Sequence, residues 1–137
     1  MMDVNLWAVL VSSIVSMGIG MWWFGKSGFR KQWMKLNKIT IKEMKEMQKK
    51  GMAGTMIIGF ITVLVMAYVL AIFIKYSGAT TFTAGMNTGF WLWLGVLAPT
   101  QLGMVLWDRK PFKLYLIHTI HYLVVLALSG GILAIWP

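Results

Sequence analysis

The sequence predicts an all-α fold: a polytopic integral membrane protein with four transmembrane helices and a short interfacial helix in the first cytoplasmic loop. The chain of 137 residues is 58% hydrophobic and 12% charged, whereas about a quarter of the residues in a soluble domain are charged. Its apolar residues form four long runs that are almost free of charged side chains. The 13 basic and 4 acidic residues lie mostly between these runs, which favours a lipid surface over nucleic acid as the partner.

The four apolar runs are predicted to cross the membrane as helices. They are residues 6–24, 53–74, 86–107 and 112–136. Each is close to the about 20 residues that one crossing requires, and in lipid each must satisfy its backbone hydrogen bonds internally. We interpret the first run as a span and not as a signal peptide, because no basic leader precedes it. Together with a basic loop at 25–52, the runs make residues 1–137 a single membrane domain.

The distribution of charge predicts the orientation of the chain. Residues 26–50 include nine basic residues and two glutamates, and residues 108–113 include three basic residues and one aspartate. Both segments lie on the same side of a four-span chain, while the opposite side has only Asp3 and Lys75. The positive-inside rule then places the basic loops in the cytoplasm and both termini outside, in the cell membrane.

The basic loop is predicted to contain the interfacial helix. Thr40 and Glu43 have the spacing of a capping box, and Gly51 is a typical residue just after a helix end. These signals indicate a helix over residues 41–50. Anionic lipid head groups attract each Lys or Arg near the surface by about 1 kcal/mol. We therefore expect the loop to contact anionic lipid, either to anchor the protein or to sense the lipid, and anchoring is the simpler interpretation.

Small residues at helical spacing indicate where the helices pack, because lipid supplies no hydrophobic drive and close backbone approach must do so instead. They are Ser12, Ser16 and Gly20 on the first span, Ala67 and Ala71 on the second, Gly85 and Gly89 on the third, and Ala127 and Gly131 on the fourth. The spacing alone leaves open whether these faces meet within one protomer or between protomers. We expect a homo-oligomer, with the ridge of Ser12, Ser16 and Gly20 as its interface.

The polar residues inside the spans form a candidate intramembrane cluster. Its members are Thr62, Thr100, Gln101, His118 and His121. His118 and His121 share one face of the fourth span at i, i+3 spacing. Thr100 and Gln101 lie at a similar depth on the third span, so we expect His118 to be within reach of one of them. The cluster is either a pocket for a small head group or a set of hydrogen bonds between helices.

The sequence indicates no cofactor, no metal site and no catalytic residue. Two histidines on one face of one helix cannot lie on opposite sides of the same haem. The chain has no cysteine to complete a metal shell. Its twelve methionines are scattered over apolar positions, where methionine commonly fills space. No nucleophile is paired with a base at a supporting spacing, so we do not expect an enzyme.

Glycines, tryptophans, basic turn residues and some of their apolar and polar neighbours occur along the whole chain in a distinctive order. They are Gly18, Gly20, Trp22, Trp23, Phe24, Gly25, Lys26, Trp33, the segment 40–51, Trp93, Leu94, Gly95, Ala98, Pro99, Thr100, Arg109, Lys110, Pro111, Lys113, Leu114, Gly131, Ile132, Leu133 and Trp136. In this order the chain resembles the family called domain of unknown function 1761. The resemblance implies small four-helix membrane proteins and brings no substrate or catalytic residue. The chain departs from the family at 22–25, where a Trp-Tyr-Ser-Pro-like segment is usual, and at His118, where an acidic residue is often expected.

These observations lead to two main functional hypotheses and a third, less favoured one. The first is a homo-oligomeric binding or permeation module for a small solute or amphiphile, suggested by the polar cluster. The second is a catalytically silent structural or accessory subunit of a membrane complex, suggested by the small-residue faces on all four spans. An enzyme acting on lipid or quinone would depend on His118 alone and is the least favoured.

Overall fold

A computed structural model of the chain describes residues 3–137, and every regular element in that range is helical. The elements are α1 (Leu6–Trp23), α2 (Arg30–Leu36), α3 (Ile41–Lys49), α4 (Ala53–Ser77), α5 (Phe82–Leu92), a π-helical turn (Trp93–Leu97), α6 (Ala98–Gln101), α7 (Gly103–Leu106) and α8 (Phe112–Ile135). Four segments are long and apolar enough to cross a membrane: α1, α4, the third span Phe82–Leu106 and α8. The predicted all-α, four-span architecture is therefore confirmed.

The ends of the spans are set by local capping groups. The Asn5 side chain accepts hydrogen bonds from the backbone N–H groups of Trp7 and Ala8 and starts α1. Helix α4 ends at Gly78, whose φ of 71° is the left-handed conformation typical of a helix C-terminus. The third span begins at Phe82, four residues earlier than predicted, because the Thr81 hydroxyl accepts from the Ala84 N–H at 3.1 Å.

The third span is interrupted in its middle. The π-helical turn ends two residues before Pro99, which has no N–H to donate and whose ring would clash with the preceding turn of a regular helix. A π-turn inserts an extra residue into the ladder and absorbs that mismatch. Two hydroxyl groups bond to carbonyls beside the interruption: the Thr100 hydroxyl donates to Val96 O, and the Tyr115 hydroxyl on α8 donates to Ala98 O at 2.8 Å. The π-turn was not predicted from the sequence.

Helix α8 is the central element of the bundle. It packs against α1, α4 and α5 and is the most buried of the four spans. It meets α5 at close range, since a Cβ on Gly85 would lie 2.1 Å from Gly130 O and one on Gly89 would lie 2.2 Å from Leu126 O. Only glycine allows this approach. Ala127 lies on the same helix beside this contact, and Gly131 packs against the Phe82 ring.

Helix α1 packs on α4 and α8. Together they enclose an apolar core of Ala8, Val9, Ala67, Leu70, Ala71, Ile74, Leu126, Leu133 and Ala134. The small ridge of α1 faces this core: Ser12 and Ser16 are buried, and Ser16 Oγ lies 3.1 Å from Ser129 Oγ on α8. The ridge was predicted to be the interface of an oligomer. It packs inside the protomer instead, because α8 supplies small residues that complement it.

The basic loop forms two short helices. Helix α3 occupies Ile41–Lys49, and the Thr40 hydroxyl accepts from the Glu43 N–H as the predicted cap requires. Gly51 follows with a φ of 85°, which ends the helix and turns the chain into α4. The placement of α3 in the head-group layer stays a prediction.

Candidate functional site

A cleft of about 510 Å³ opens between α1, α4 and α8 at the end of the bundle that carries the basic loop. Its walls are mainly apolar, and five methionines line it: Met17, Met21, Met52, Met56 and Met66. Methionine is unbranched and polarizable, so a surface of methionines adapts to flexible apolar molecules. The volume is within the range of about 300–1,000 Å³ typical of small-molecule sites. We call this the basic-end cleft.

His121 supplies the main polar group in the wall of the basic-end cleft. Its residue surface is 9% exposed, and neither Nδ1 nor Nε2 has a hydrogen-bond partner among the described residues. The ring is held by aromatic neighbours, with centroid distances of 5.2 Å to Phe24, 5.9 Å to Trp23 and 5.0 Å to Tyr122. The imidazole is therefore fixed in position while its hydrogen-bonding capacity is unused.

Gly20 lies directly in front of this imidazole. A Cβ at Gly20 would lie 3.4 Å from His121 Nε2, so a longer side chain there would cover the ring. Gly20 also lines the cleft. The predicted α1 ridge is thus divided: Gly20 faces the cleft, Ser12 is buried in the helix contact, and Ser16 both lines the cleft and lies against Ser129.

Arg30 adds a positive charge to the lining of the cleft. It is the first residue of α2, and its Nε donates to Phe24 O at 3.1 Å. The turn before it is held against the end of α1, where the Phe29 N–H donates to Trp23 O and the Phe29 ring lies 5.0 Å from the Trp23 ring. Gly28 is required in this turn, because a Cβ there would lie 2.3 Å from Trp22 O. The turn fixes Arg30 beside the cleft.

The predicted polar cluster is not joined by hydrogen bonds in the structure. Thr62 and Thr100 are exposed on the bundle surface, and their hydroxyls donate to carbonyls of their own spans. Gln101 is half-buried, and its Oε1 has no hydrogen-bond partner in the described part of the chain. The His118 ring lies 5.3 Å from the Phe24 ring, and none of the hydrogen bonds among residues 3–137 joins it to Gln101 or Thr100.

The reason lies in the rotation of α8. Tyr115 and Thr119 face the third span, since the Tyr115 hydroxyl donates to Ala98 O and Trp93 Nε1 donates to Thr119 O. His118 and His121 follow at about 100° per residue and face the end of α1. Matching depth on neighbouring helices was therefore not sufficient to bring these side chains together.

Sequence reasoning missed Arg30 and the convergence of the methionines. Arg30 was counted only as one of nine basic loop residues, and the methionines were interpreted as dispersed filler. A usable signal was present in the two glycines, Gly25 and Gly28, which flank the short turn ahead of Arg30. Glycines so closely spaced indicate tight backbone approach, and hence a fixed rather than a freely moving arginine.

The fold and the cleft together define a class: a small polytopic four-span membrane protein with an amphipathic cleft between its helices. The chain matches the model of a family described as protein of unknown function (DUF1761) over residues 7–134. It therefore belongs to that family, as its sequence resemblance indicated. No match was found among curated proteins or among solved structures.

Proposed function

We propose that this protein binds a small amphiphile in the basic-end cleft. The single observation that carries the proposal is His121, a buried side chain on the wall of a mainly apolar cleft, whose two ring nitrogens have no hydrogen-bond partner among the described residues. A neutral imidazole has one donor and one acceptor, and leaving such groups unpaired in a buried site costs about 1–3 kcal/mol. A ligand with a hydrogen-bonding group and an apolar body would satisfy both the ring and the methionines.

Binding is better supported than permeation. A path for ions or polar solutes needs polar groups along its length, whereas Thr62 and Thr100 have hydroxyls bonded to their own helices. The proposal includes no catalytic step. It keeps the cell membrane as the location, both termini outside, and anionic lipid at the basic loop as a contact. It also keeps a homo-oligomer, formed through a face other than the buried ridge.

A photoactivatable phospholipid with a diazirine in its acyl chain tests the proposal. The protein is labelled in membranes and compared with Gly20→Leu, which would place a side chain against His121, and with Gly18→Leu. Gly18 is the matched control because it lies on the same helix with nothing within 4 Å of its Cβ position. We expect labelling of peptides that line the cleft to fall in Gly20→Leu and to persist in Gly18→Leu. Equal labelling of the two variants would contradict binding in this cleft.

The alternative, a silent accessory subunit, is favoured by one separate observation. The third span is the least covered of the four, and it exposes Trp91, Leu94 and Val96. A surface of this kind suits either lipid or a partner helix. Introducing a photo-crosslinking residue at Trp91 distinguishes them: a discrete protein adduct in native membranes supports the subunit, and lipid adducts alone contradict it.

A further inference from the structure

We infer that the amphiphile carries an anionic head group and that Arg30 binds it at the mouth of the basic-end cleft. This inference rests on the proposed function and specifies its ligand. Arg30 and His121 line the same cleft, so a molecule that satisfies the imidazole is also brought to the guanidinium.

The Arg30 guanidinium is held in place by one hydrogen bond and has donors left for a ligand. Its Nε donates to Phe24 O, which fixes the plane of the group, while the two terminal nitrogens donate to no described residue. Those two nitrogens form a fork whose spacing matches two oxygens of a phosphate or carboxylate. A fixed fork loses little conformational freedom on binding, which favours the anion further.

No acidic side chain competes for Arg30. The acidic residues of the chain are Asp3, Glu43, Glu46 and Asp108, and none of them lines the cleft. A positive charge beside a cleft that opens among spanning helices is also less screened than one in water. The charge that would complement Arg30 therefore has to come from the ligand.

The depth of the two polar groups specifies how the ligand is arranged. His121 faces Gly20, while Arg30 bonds to Phe24, four residues further along the chain and about 6 Å along a helix axis. The ligand would place its anionic head at Arg30 and a hydrogen-bonding neck, such as an ester carbonyl or a hydroxyl, near His121. Its apolar tail would run along Met17, Met56 and Met66. This is the arrangement of an anionic phospholipid or a similar membrane-resident amphiphile.

Native mass spectrometry of the purified full-length protein tests the inference, with phosphatidylglycerol and phosphatidylcholine of equal chain length as probes. We expect the wild-type protein to retain phosphatidylglycerol about tenfold better, in line with the strength of charge-assisted hydrogen bonds. Arg30→Gln should lose this preference. Lys31→Gln should keep the preference, because this substitution removes the same charge from an adjacent, exposed position that does not line the cleft. Arg30→Lys keeps the charge without the fork, and it should show an intermediate preference even if Arg30→Gln folds poorly.

The outcomes separate this inference from the proposed function. If the protein retains both lipids equally and Gly20→Leu abolishes retention, the cleft binds amphiphiles but the anionic specificity is wrong. If Arg30→Gln and Lys31→Gln lower the preference alike, general surface charge explains it and the role of Arg30 is wrong. If Gly20→Leu changes retention of neither lipid, the proposed function itself fails. Inorganic phosphate at millimolar concentration should not displace the lipid. Displacement would indicate a site for a free anion and would contradict the inference that the ligand is an amphiphile.

Discussion

Gly20 on α1 and His121 on α8 face each other so closely that a Cβ on the glycine would lie 3.4 Å from the imidazole Nε2. The contact joins the two helices at the wall of the basic-end cleft, which both residues line. The imidazole is held by its aromatic neighbours yet makes no hydrogen bond to any of residues 3–137. The pair is thus both a contact between α1 and α8 and part of the wall of the cleft in which we propose that the ligand binds.

Replacing His121 by phenylalanine should separate stability from binding. The ring volume is nearly kept while both unpaired nitrogens are removed, so the delipidated protein should be equally stable or more stable, by about 1 kcal/mol. Labelling by the photoactivatable lipid should fall. His118→Phe is the control, since His118 does not line the cleft. A His121→Phe protein that unfolds at much lower temperature would show that the ring nitrogens have a structural partner.

The close contact between α5 and α8 should be sensitive to a single methyl group. Gly89→Ala would place a Cβ 2.2 Å from Leu126 O, which forces the helices apart and should cost about 1–3 kcal/mol. Gly95→Ala in the same span has open space around its Cβ position and should be neutral or slightly stabilising. Thermal unfolding in mild detergent measures both. Equal effects would contradict the packing of these two helices.

Ser16 and Ser129 should be coupled within one protomer. Their hydroxyl oxygens lie 3.1 Å apart, and hydrogen bonds between spanning helices are worth about 0.6 kcal/mol on average. A double-mutant cycle with Ser16→Ala and Ser129→Ala should recover a coupling of that size. Ser16→Leu should lower stability without changing the number of chains per particle. A shift of the wild-type particle from oligomer to monomer mass in Ser16→Leu would mean that the ridge faces another copy after all.

Much of the fold could be predicted because each step depends on local sequence. The length and apolarity of a run determine that it spans, and Thr40 with Glu43 determines where α3 begins. The π-turn before Pro99 is harder to predict, because a proline within a span can also be accommodated by a kink. The start of the third span at Phe82 depended on one cap, Thr81, which lies outside the apolar run.

The site was predicted less well, because it depends on helix rotation and on which helices are neighbours. Depth along the axis placed His118 and Gln101 at the same level. It did not reveal that Tyr115 and Thr119 occupy the face of α8 toward the third span. His121 was named from its spacing alone, whereas Arg30, Met52 and Met66 meet it only through the packing of α1, α4 and α8.

The predicted orientation can be tested by reporters. The basic loop has a large excess of positive charge, and this should retain it in the cytoplasm. A reporter active only outside the cytoplasm should work when fused after Pro137 and should be silent when inserted near Lys38. The opposite pattern would show that the chain is inserted in the reverse orientation, with the basic-end cleft at the outer face.

The central claim, that an amphiphile binds against His121, is tested most directly by NMR of protein labelled only in its two histidines. Short-chain phosphatidylglycerol is titrated into the protein in neutral detergent, and His118→Phe assigns the two sets of ring signals. We expect the His121 signals to move in a saturable way, the His118 signals to move much less, and neither to move in Gly20→Leu. If the His121 signals stay fixed, or if both histidines respond alike in the wild-type protein and in Gly20→Leu, the cleft is not the binding site.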